Sequence, residues 1–314
     1  MGGDFYQRFA QQLRQGPAVL AIVVDGQGSV PREVGAKMFV APGGDITGTI
    51  GGGAGEAKVI AIAQEVLHSG TKQAVTIDLS GTENRSVEGI CGGWMRVWVE
   101  RWQPEQIPLV ETLAAEPTSD SSYLVIPFDQ DSPYLTEHPP QTSSAYIETL
   151  SLPPLLLIVG AGHVGYALAQ MAHWLGFIIA IQDERPEFAN GGRFPQAQII
   201  SNAAVAELLP QLPDPIDLYV ALVTRGFGYD LSALRAVFLA QRPVNYLGMI
   251  GSRKRVKTVT QALHSEGYSD HLLRSLHAPI GLPINALTPE EIAVSICAQI
   301  IQIRREPGKS IGCE

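Results

Sequence analysis

The chain has little cysteine. Cys91, Cys297 and Cys313 are the only three in 314 residues, and none stands in CxxC spacing. Neither a disulfide framework nor a tetrahedral zinc site is therefore expected. Its seven histidines form no HxH or HxxxH pair, which argues against a metal site built from protein ligands alone. Long apolar runs are also missing. The longest, LLLIVGAG after Pro154, falls far short of the roughly 20 residues that span a bilayer. Met1 leads into GGDFYQRFAQQLRQ rather than an apolar signal segment, so a cytoplasmic protein with no membrane contact is expected. Basic charge is missing from one place: residues 104–150 hold eight acidic side chains and no Lys or Arg. Residues 1–103 hold 10 acidic and 9 basic residues, and residues 151–314 hold 13 of each. No region carries the net positive charge that a phosphate backbone attracts, so extended nucleic-acid binding is not expected.

What is present is ordinary globular material, 45% hydrophobic and 17% charged, enough for two medium-sized domains. Residues 1–103 read as a mixed α+β domain. Phe5, Phe9 and Leu13 mark an amphipathic helix, and AVLAIVV, KMFVA, QAVTIDL and MRVWVERW are β-rich runs. EAKVIAIAQEVLHSG has helical apolar spacing and a glycine stop at Gly70. Residues 104–150, rich in proline and in TSDSS and QTSS runs, read as an acidic connection holding one strand, SYLVIPF. Residues 151–314 alternate apolar strands with helical segments, which predicts a Rossmann-like, doubly wound parallel sheet. The chain's last predicted helix opens on LTPEE, with Thr288 as cap, Pro289 at the first helical position and Glu291 completing a capping box.

GAGHVG at 160–165 follows an apolar strand and precedes a helix, with Asp183 lying 23 positions past Gly160. That context makes a weak motif strong. Gly160 permits the tight turn, Gly162 lets a phosphate approach backbone amides, Gly165 lets helix and strand pack closely, and the helix N-terminus favours an anion. His163, inside the turn, is placed to face the ligand. Asp183 suits ribose hydroxyls, while Arg185 leaves a 2′-phosphate open, so NAD(P) or another nucleotide is one expected ligand. A turn kept only for packing is the plain alternative. MIGSRKRVK places Ser252 as an N-cap beside Arg253, Lys254, Arg255 and Lys257, either a second anion site or a solvated helix face.

GSVPREVGAKMFVAPGGDITGTIGGGAGE, residues 28–56, is the densest glycine stretch. Gly51, Gly52 and Gly53 can turn their amides into one concavity, an anion nest. Arg32 and Lys37 add nearby charge, and Glu56 is placed to accept hydrogen bonds from a polar heterocycle. The plain reading is a set of tight turns. Cys91, on a glycine turn and near Arg85 and Arg96 in sequence, fits a thiol of lowered pKa, a soft metal ligand or a sulfur-handling group. Cys297, within IAVSICAQII, reads as a small buried hydrophobe. No Ser-His-Asp set assembles.

Taken in order, GSVPREVGAKM, GTIGGG with Glu56, CGG at 91–93, GAGHVG, QDERPEFAN with RFP, LGMIGSRKR and APIGLPINALTPEEIAVSICAQI resemble the XdhC/CoxI family of molybdoenzyme accessory proteins. The resemblance spares only the acidic connection. It implies a maturation chaperone rather than a catalyst. Such a protein binds molybdenum cofactor (molybdopterin), protects it while a cysteine desulfurase supplies the terminal sulfido ligand, and delivers it to a xanthine dehydrogenase-like apoenzyme. Under it the glycine loops of both domains form two walls of a cleft, and Cys91 is a candidate molybdenum contact. One departure is Phe227 in TRGFGYD, where relatives often carry histidine; no proton-transfer or metal role is expected at that position. A homo-oligomer, most simply a symmetric dimer, is expected on general grounds. The rival reading is an NAD(P)-dependent oxidoreductase using the Rossmann-like domain. Nucleotidyl transfer onto the cofactor lacks a run of acidic magnesium ligands.

Overall fold

The computed structural model describes residues 2–79, 92–115, 122–129, 131–214, 216–240 and 242–305. The chain divides into two compact units, Met1–Ser151 and Leu152–Glu314.

The first unit opens with α1 (Gly2–Gln15), β1 (Ala18–Gln27), β2 (Lys37–Val40), β3 (Ile46–Gly48), α2 (Gly53–Ser69), β4 (Gln73–Asp78) and β5 (Trp94–Trp102). The five strands form an antiparallel sheet in the order β3-β2-β1-β5-β4. Both its faces are covered, which explains why AVLAIVV is apolar throughout instead of alternating. Val19, Ala21 and Val23 pack with Val59, Ala63 and Val66 of α2, while Leu20 and Ile22 pack with Phe9 and Leu13 of α1, the period-2 division a strand imposes. Gly70 ends α2 in the left-handed conformation, φ 72°, and its amide bonds to the carbonyl of Val66.

The acidic stretch holds more structure than the single strand its proline and serine content suggests. It carries α3 (Ile107–Ala114), β6 (Ser122–Pro127), β7 (Tyr134–Thr136) and β8 (Ala145–Leu150), and the three strands pair as β7-β6-β8. Val110, Leu113, Leu124, Ile126 and Tyr146 join the core of α1 and β1. Few apolar residues per strand face that core, so the periodic signal is faint, and tertiary packing supplies the stability that local pattern does not advertise.

The second unit runs β9 (Leu155–Val159), α4 (His163–Trp174), β10 (Ile178–Gln182), β11 (Ile199–Ser201), α5 (Val205–Leu208), β12 (Leu218–Leu222), α6 (Phe227–Leu239), β13 (Tyr246–Met249), α7 (Arg253–Ser265), α8 (Asp270–Arg274) and α9 (Pro289–Arg305). Its sheet is parallel, ordered β11-β10-β9-β12-β13. Leu155, Leu157 and Val159 enter one apolar cluster and Leu156 and Ile158 the other, so both faces are buried, as a doubly wound sheet requires. The capping box of α9 forms as its sequence predicts: Glu291 Oε2 accepts from the Leu287 and Thr288 amides, and Thr288 Oγ1 accepts from the Glu291 amide. Cys297 is buried on the inner side of α9, and burial pushes its thiol up to about 12. Among the described residues no helix is long and apolar enough to cross a membrane.

Candidate functional site

The strand order reverses at β9, which lies between β10 and β12, and ligands of doubly wound sheets bind outside the carboxyl ends of the strands at that point. A cleft of about 130 Å³ opens there. Its walls come from Val159, Gly160 and Gly162, from the four residues Gln182 to Arg185 at and after the end of β10, and from Val223, Thr224, Arg225 and Tyr229 after β12. The glycines differ in what constrains them. A Cβ on Gly160 would lie 2.6 Å from the Val223 carbonyl oxygen, and one on Gly165 would lie 2.0 Å from the carbonyl oxygen of Gly160, whereas one on Gly162 would meet nothing within 4 Å. Gly160 and Gly165 therefore set the approach of backbone to backbone, and Gly162 leaves open space at the start of α4.

Asp183 is turned inward. Its Oδ2 accepts from the Ala161 amide at 2.9 Å and from Arg185 Nη2 at 2.8 Å, and its Oδ1 accepts from the Arg185 amide at 3.1 Å and from Arg185 Nε at 2.8 Å. Burial alone would raise its pKa, but these donors overcome burial and hold the carboxyl at about 2. The acceptor positions expected to serve ribose hydroxyls are thus engaged by the chain itself, because Arg185 is two residues away and can fold back in a bidentate pair. A carboxyl at about 2 in the folded state, against about 3.9 unfolded, contributes stability that is fully present above about pH 4 and is lost as pH falls towards 2. For this side chain, 7% exposed, the contribution is about 2 kcal/mol. Urea denaturation of the protein at pH 5 and pH 2.5 should show this loss, and Asp183→Asn should lack that share of the pH dependence; an identical pH dependence in the variant would remove Asp183 as its source.

The outer wall is a second ion pair. Arg225 Nη2 meets Glu184 Oε1 at 2.6 Å, and the Tyr229 hydroxyl donates to the same oxygen at 2.7 Å. Each guanidinium also lies over a ring, Arg185 at 3.8 Å from the Phe188 centroid and Arg225 at 4.6 Å from that of Tyr229. Behind this wall lies a network that sequence reasoning did not assemble. Asp230, fully buried, accepts from the Thr224 hydroxyl at 2.6 Å and from Arg255 Nε at 2.6 Å, and Arg255 Nη2 donates to Thr224 Oγ1 at 2.9 Å. The positional signal was present: Thr224 and Arg225 follow β12 and Asp230 lies in the first turn of α6, at the sheet end where sites form. Of the SRKR cluster, Ser252 caps α7 by accepting from the Arg255 amide. Arg255, rather than the exposed Arg253, turns into the network. His163, the first residue of α4, is exposed and is not among the residues that line the cleft.

In the first unit three glycine segments converge at one end of the sheet. A Cβ on Gly51 would lie 2.5 Å from Pro31 Cγ, and one on Gly93 would lie 2.4 Å from the carbonyl oxygen of Gln27. Gly51, Gly52 and Gly53 all have positive φ, 136°, 79° and 68°, which glycine alone adopts without strain. One oxygen of Glu56 gathers the loop's donors. Glu56 Oε2 accepts from Thr49 Oγ1 at 2.5 Å, from the Ile50 amide at 3.0 Å and from the Gly52 amide at 3.2 Å. Burial pulls its pKa up, but the Thr49 hydroxyl and the loop amides hold it below the ordinary carboxylate value. Glu56 thus shapes the loop through Oε2; four residues past Gly52, it reaches back over the first helical turn to the amides there. Lys37 is likewise committed elsewhere, to Glu148 Oε1 of β8 at 2.6 Å and to the Gly35 carbonyl at 3.0 Å. Arg32 is exposed beside the loop, its Cγ 3.8 Å from where a Cβ of residue 51 would stand. Cys91 and Arg85 lie outside the described residues, as does Cys313. Among the described residues no group of three or more His, Cys, Asp or Glu is placed to hold a metal ion.

The second unit is thus a Rossmann-type fold with an arginine-lined cleft at its topological switch point. Residues 156–300 match the XdhC Rossmann domain and residues 12–78 match the XdhC and CoxI family. The chain belongs to the XdhC/CoxI family. It is 30% identical over 297 residues to the uncharacterized protein YqeB of Escherichia coli, covering 93% of this chain and 44% of that one, so it spans less than half the length of that relative. It is 27% identical to a Bacillus subtilis protein named as a probable xanthine dehydrogenase subunit, over 96% of this chain and 98% of the other. It is also 26% identical to the molybdenum cofactor insertion chaperone PaoD of Escherichia coli, over 91% and 83%. Among solved structures it is similar to a Bacillus halodurans protein described as a xanthine dehydrogenase, with a TM-score of 0.77, 24% identity and 97% of each chain covered, a likeness of fold.

Proposed function

We propose that this protein is a maturation factor for a xanthine dehydrogenase-type molybdoenzyme. It holds molybdenum cofactor as cargo while a cysteine desulfurase supplies the sulfido ligand, and then passes it to the apoenzyme. The relatives named as a cofactor insertion chaperone and as a xanthine dehydrogenase subunit support the reading. The structural observation that carries it is the convergence of the 28–32, 48–53 and 92–93 segments on one sheet end, with the exposed Arg32 beside them. The cargo carries a phosphate, a polar ring and a metal held by sulfur. Arg32 would take the phosphate, with the amide of Gly53 at the start of α2 adding the donor that a helix N-terminus offers an anion. Cys91, next in the chain to Gly92, would be the soft ligand. Glu56 would act through the loop: with its carboxylate bonded to the Ile50 and Gly52 amides, it sets the shape the cargo meets.

The test is retention and transfer. Purified protein given molybdenum cofactor should keep a pterin, detected by the fluorescence of its oxidised form, and should restore activity to a cofactor-free xanthine dehydrogenase-type partner. Arg32→Ala should lower retention about tenfold, the worth of one charge-assisted contact. Cys91→Ala should also weaken it, and unchanged retention would take the thiol out of the mechanism. A correctly folded wild-type protein that keeps no pterin would end the proposal.

A further inference from the structure

The second unit's cleft has a chemistry separate from the cargo loops. It lies at the strand ends where a dinucleotide's pyrophosphate rests on the glycine turn and its ribose reaches the acid after the second strand. A ribose diol needs a free acceptor there. Asp183 offers none, since both oxygens are occupied by the Ala161 amide, the Arg185 amide and the Arg185 guanidinium. What faces the cleft instead is donor-rich. Arg185 spends Nε and Nη2 on Asp183, leaving Nη1 unused by that pair, and Arg225 stands across the opening in its exposed pair with Glu184. Both guanidinium groups are steadied by the rings beneath them. Each acid in the cleft is neutralised by an arginine, and the turn itself presents Gly162 with open space above it.

We infer that this cleft binds a dinucleotide of the NADP type, with its pyrophosphate on the Gly160–Gly162 turn and its 2′-phosphate received by Arg185. The added phosphate gains a charge-assisted contact with a guanidinium already fixed in place, while a plain diol would meet an acid with no acceptor to spare. Pairing with Asp183 makes Arg185 a selector: it satisfies the acid that a diol would use and offers its remaining donors to a phosphate. The inference does not rest on the cargo reading, because every group belongs to the second unit, and Arg32→Ala should leave it unchanged.

Calorimetric titration of the full chain with NADP+, NAD+, 2′,5′-ADP and inorganic phosphate tests it. NADP+ should bind at least tenfold more tightly than NAD+, 2′,5′-ADP should bind measurably, and inorganic phosphate should not compete at equal concentration. Arg185→Ala should bring the NADP+ and NAD+ affinities within about threefold of each other. Because that variant leaves Asp183 without its partner, its fold is checked by circular dichroism. Arg185→Lys, which keeps the charge but loses the planar fork, serves as the second variant and should lose part of the preference. No binding of NADP+ at millimolar concentration, or NAD+ binding as tightly as NADP+ to the wild type, would overturn the inference. So would a preference that survives both Arg185 variants.

Discussion

Gly165→Ala should cost the second unit about 3 kcal/mol, the upper part of the range for overpacking a rigid contact, whereas Gly162→Ala, three residues earlier in the same turn, should cost less than about 1 kcal/mol. The difference comes from what the new methyl meets. At 165 it would stand 2.0 Å from the carbonyl oxygen of Gly160 and 3.2 Å from its carbon, backbone atoms that cannot rotate away. Helix α4 would have to lift from β9, disturbing the packing of Ala167, Leu168 and Ala172 against Ile158 and Ile179. At 162 the methyl would enter open space, and the residue's φ of −72° suits any side chain; only the modest preference for glycine over alanine at an N-cap is lost. Since a domain's whole stability is about 5–15 kcal/mol, the first change should be plain in the denaturation transition of the second unit. Hydrogen exchange at the amides of β9 and β10 would follow that unit alone. Equal costs for the two variants would mean that α4 relaxes away from the turn freely. If the cleft binds NADP+ as inferred, Gly162→Ala should obstruct the phosphate at the turn, so a variant of near-normal stability should bind NADP+ more weakly.

Asp230→Ala should lower stability by a comparable amount, about 3 kcal/mol, the cost of stranding one member of a buried ion pair. Asp230 is fully buried, and its removal leaves Arg255, a quarter exposed, without its counter-charge and the Thr224 hydroxyl with only the longer contact to the Gly226 carbonyl at 3.2 Å. Three elements would loosen together, because Thr224 follows β12, Asp230 lies in the first turn of α6 and Arg255 in that of α7. The paired replacement Asp230→Leu with Arg255→Met should cost less than Asp230→Ala alone, since it removes both charges at once. Chemical denaturation of the three proteins decides the matter: a single variant within 1 kcal/mol of wild type, or a double variant worse than the single, would show that the network adds little.

Much of the second unit was legible in the sequence because a parallel sheet buried on both faces writes itself as unbroken apolar runs, and because GAGHVG has a meaning fixed by what precedes and follows it. The Thr288–Glu291 box was legible for the same reason: its partners are three residues apart. The strands of 122–150 were mostly illegible, since their core neighbours lie in α1 and β1, far away in sequence. The partner choices of charged residues were illegible too. Nothing local says that Lys37 goes to Glu148, 111 positions later, or that Arg255 rather than Arg253 finds Asp230.

Composition, apolar period and glycine placement alone determined that this chain has a Rossmann-type second unit and glycine loops able to bring backbone close to backbone. Those features depend on residues within a turn or two of each other, where steric limits leave few conformations. Only the tertiary structure decided which carboxylates are free. Glu56 and Asp183 both read as ligand acceptors; Asp183 has both oxygens engaged by the Ala161 and Arg185 amides and the Arg185 guanidinium, and Glu56 has Oε2 engaged by the Ile50 and Gly52 amides and the Thr49 hydroxyl. A charge seeks whatever donor the folded chain brings within about 3 Å, and that distance is set by packing rather than by order in the sequence.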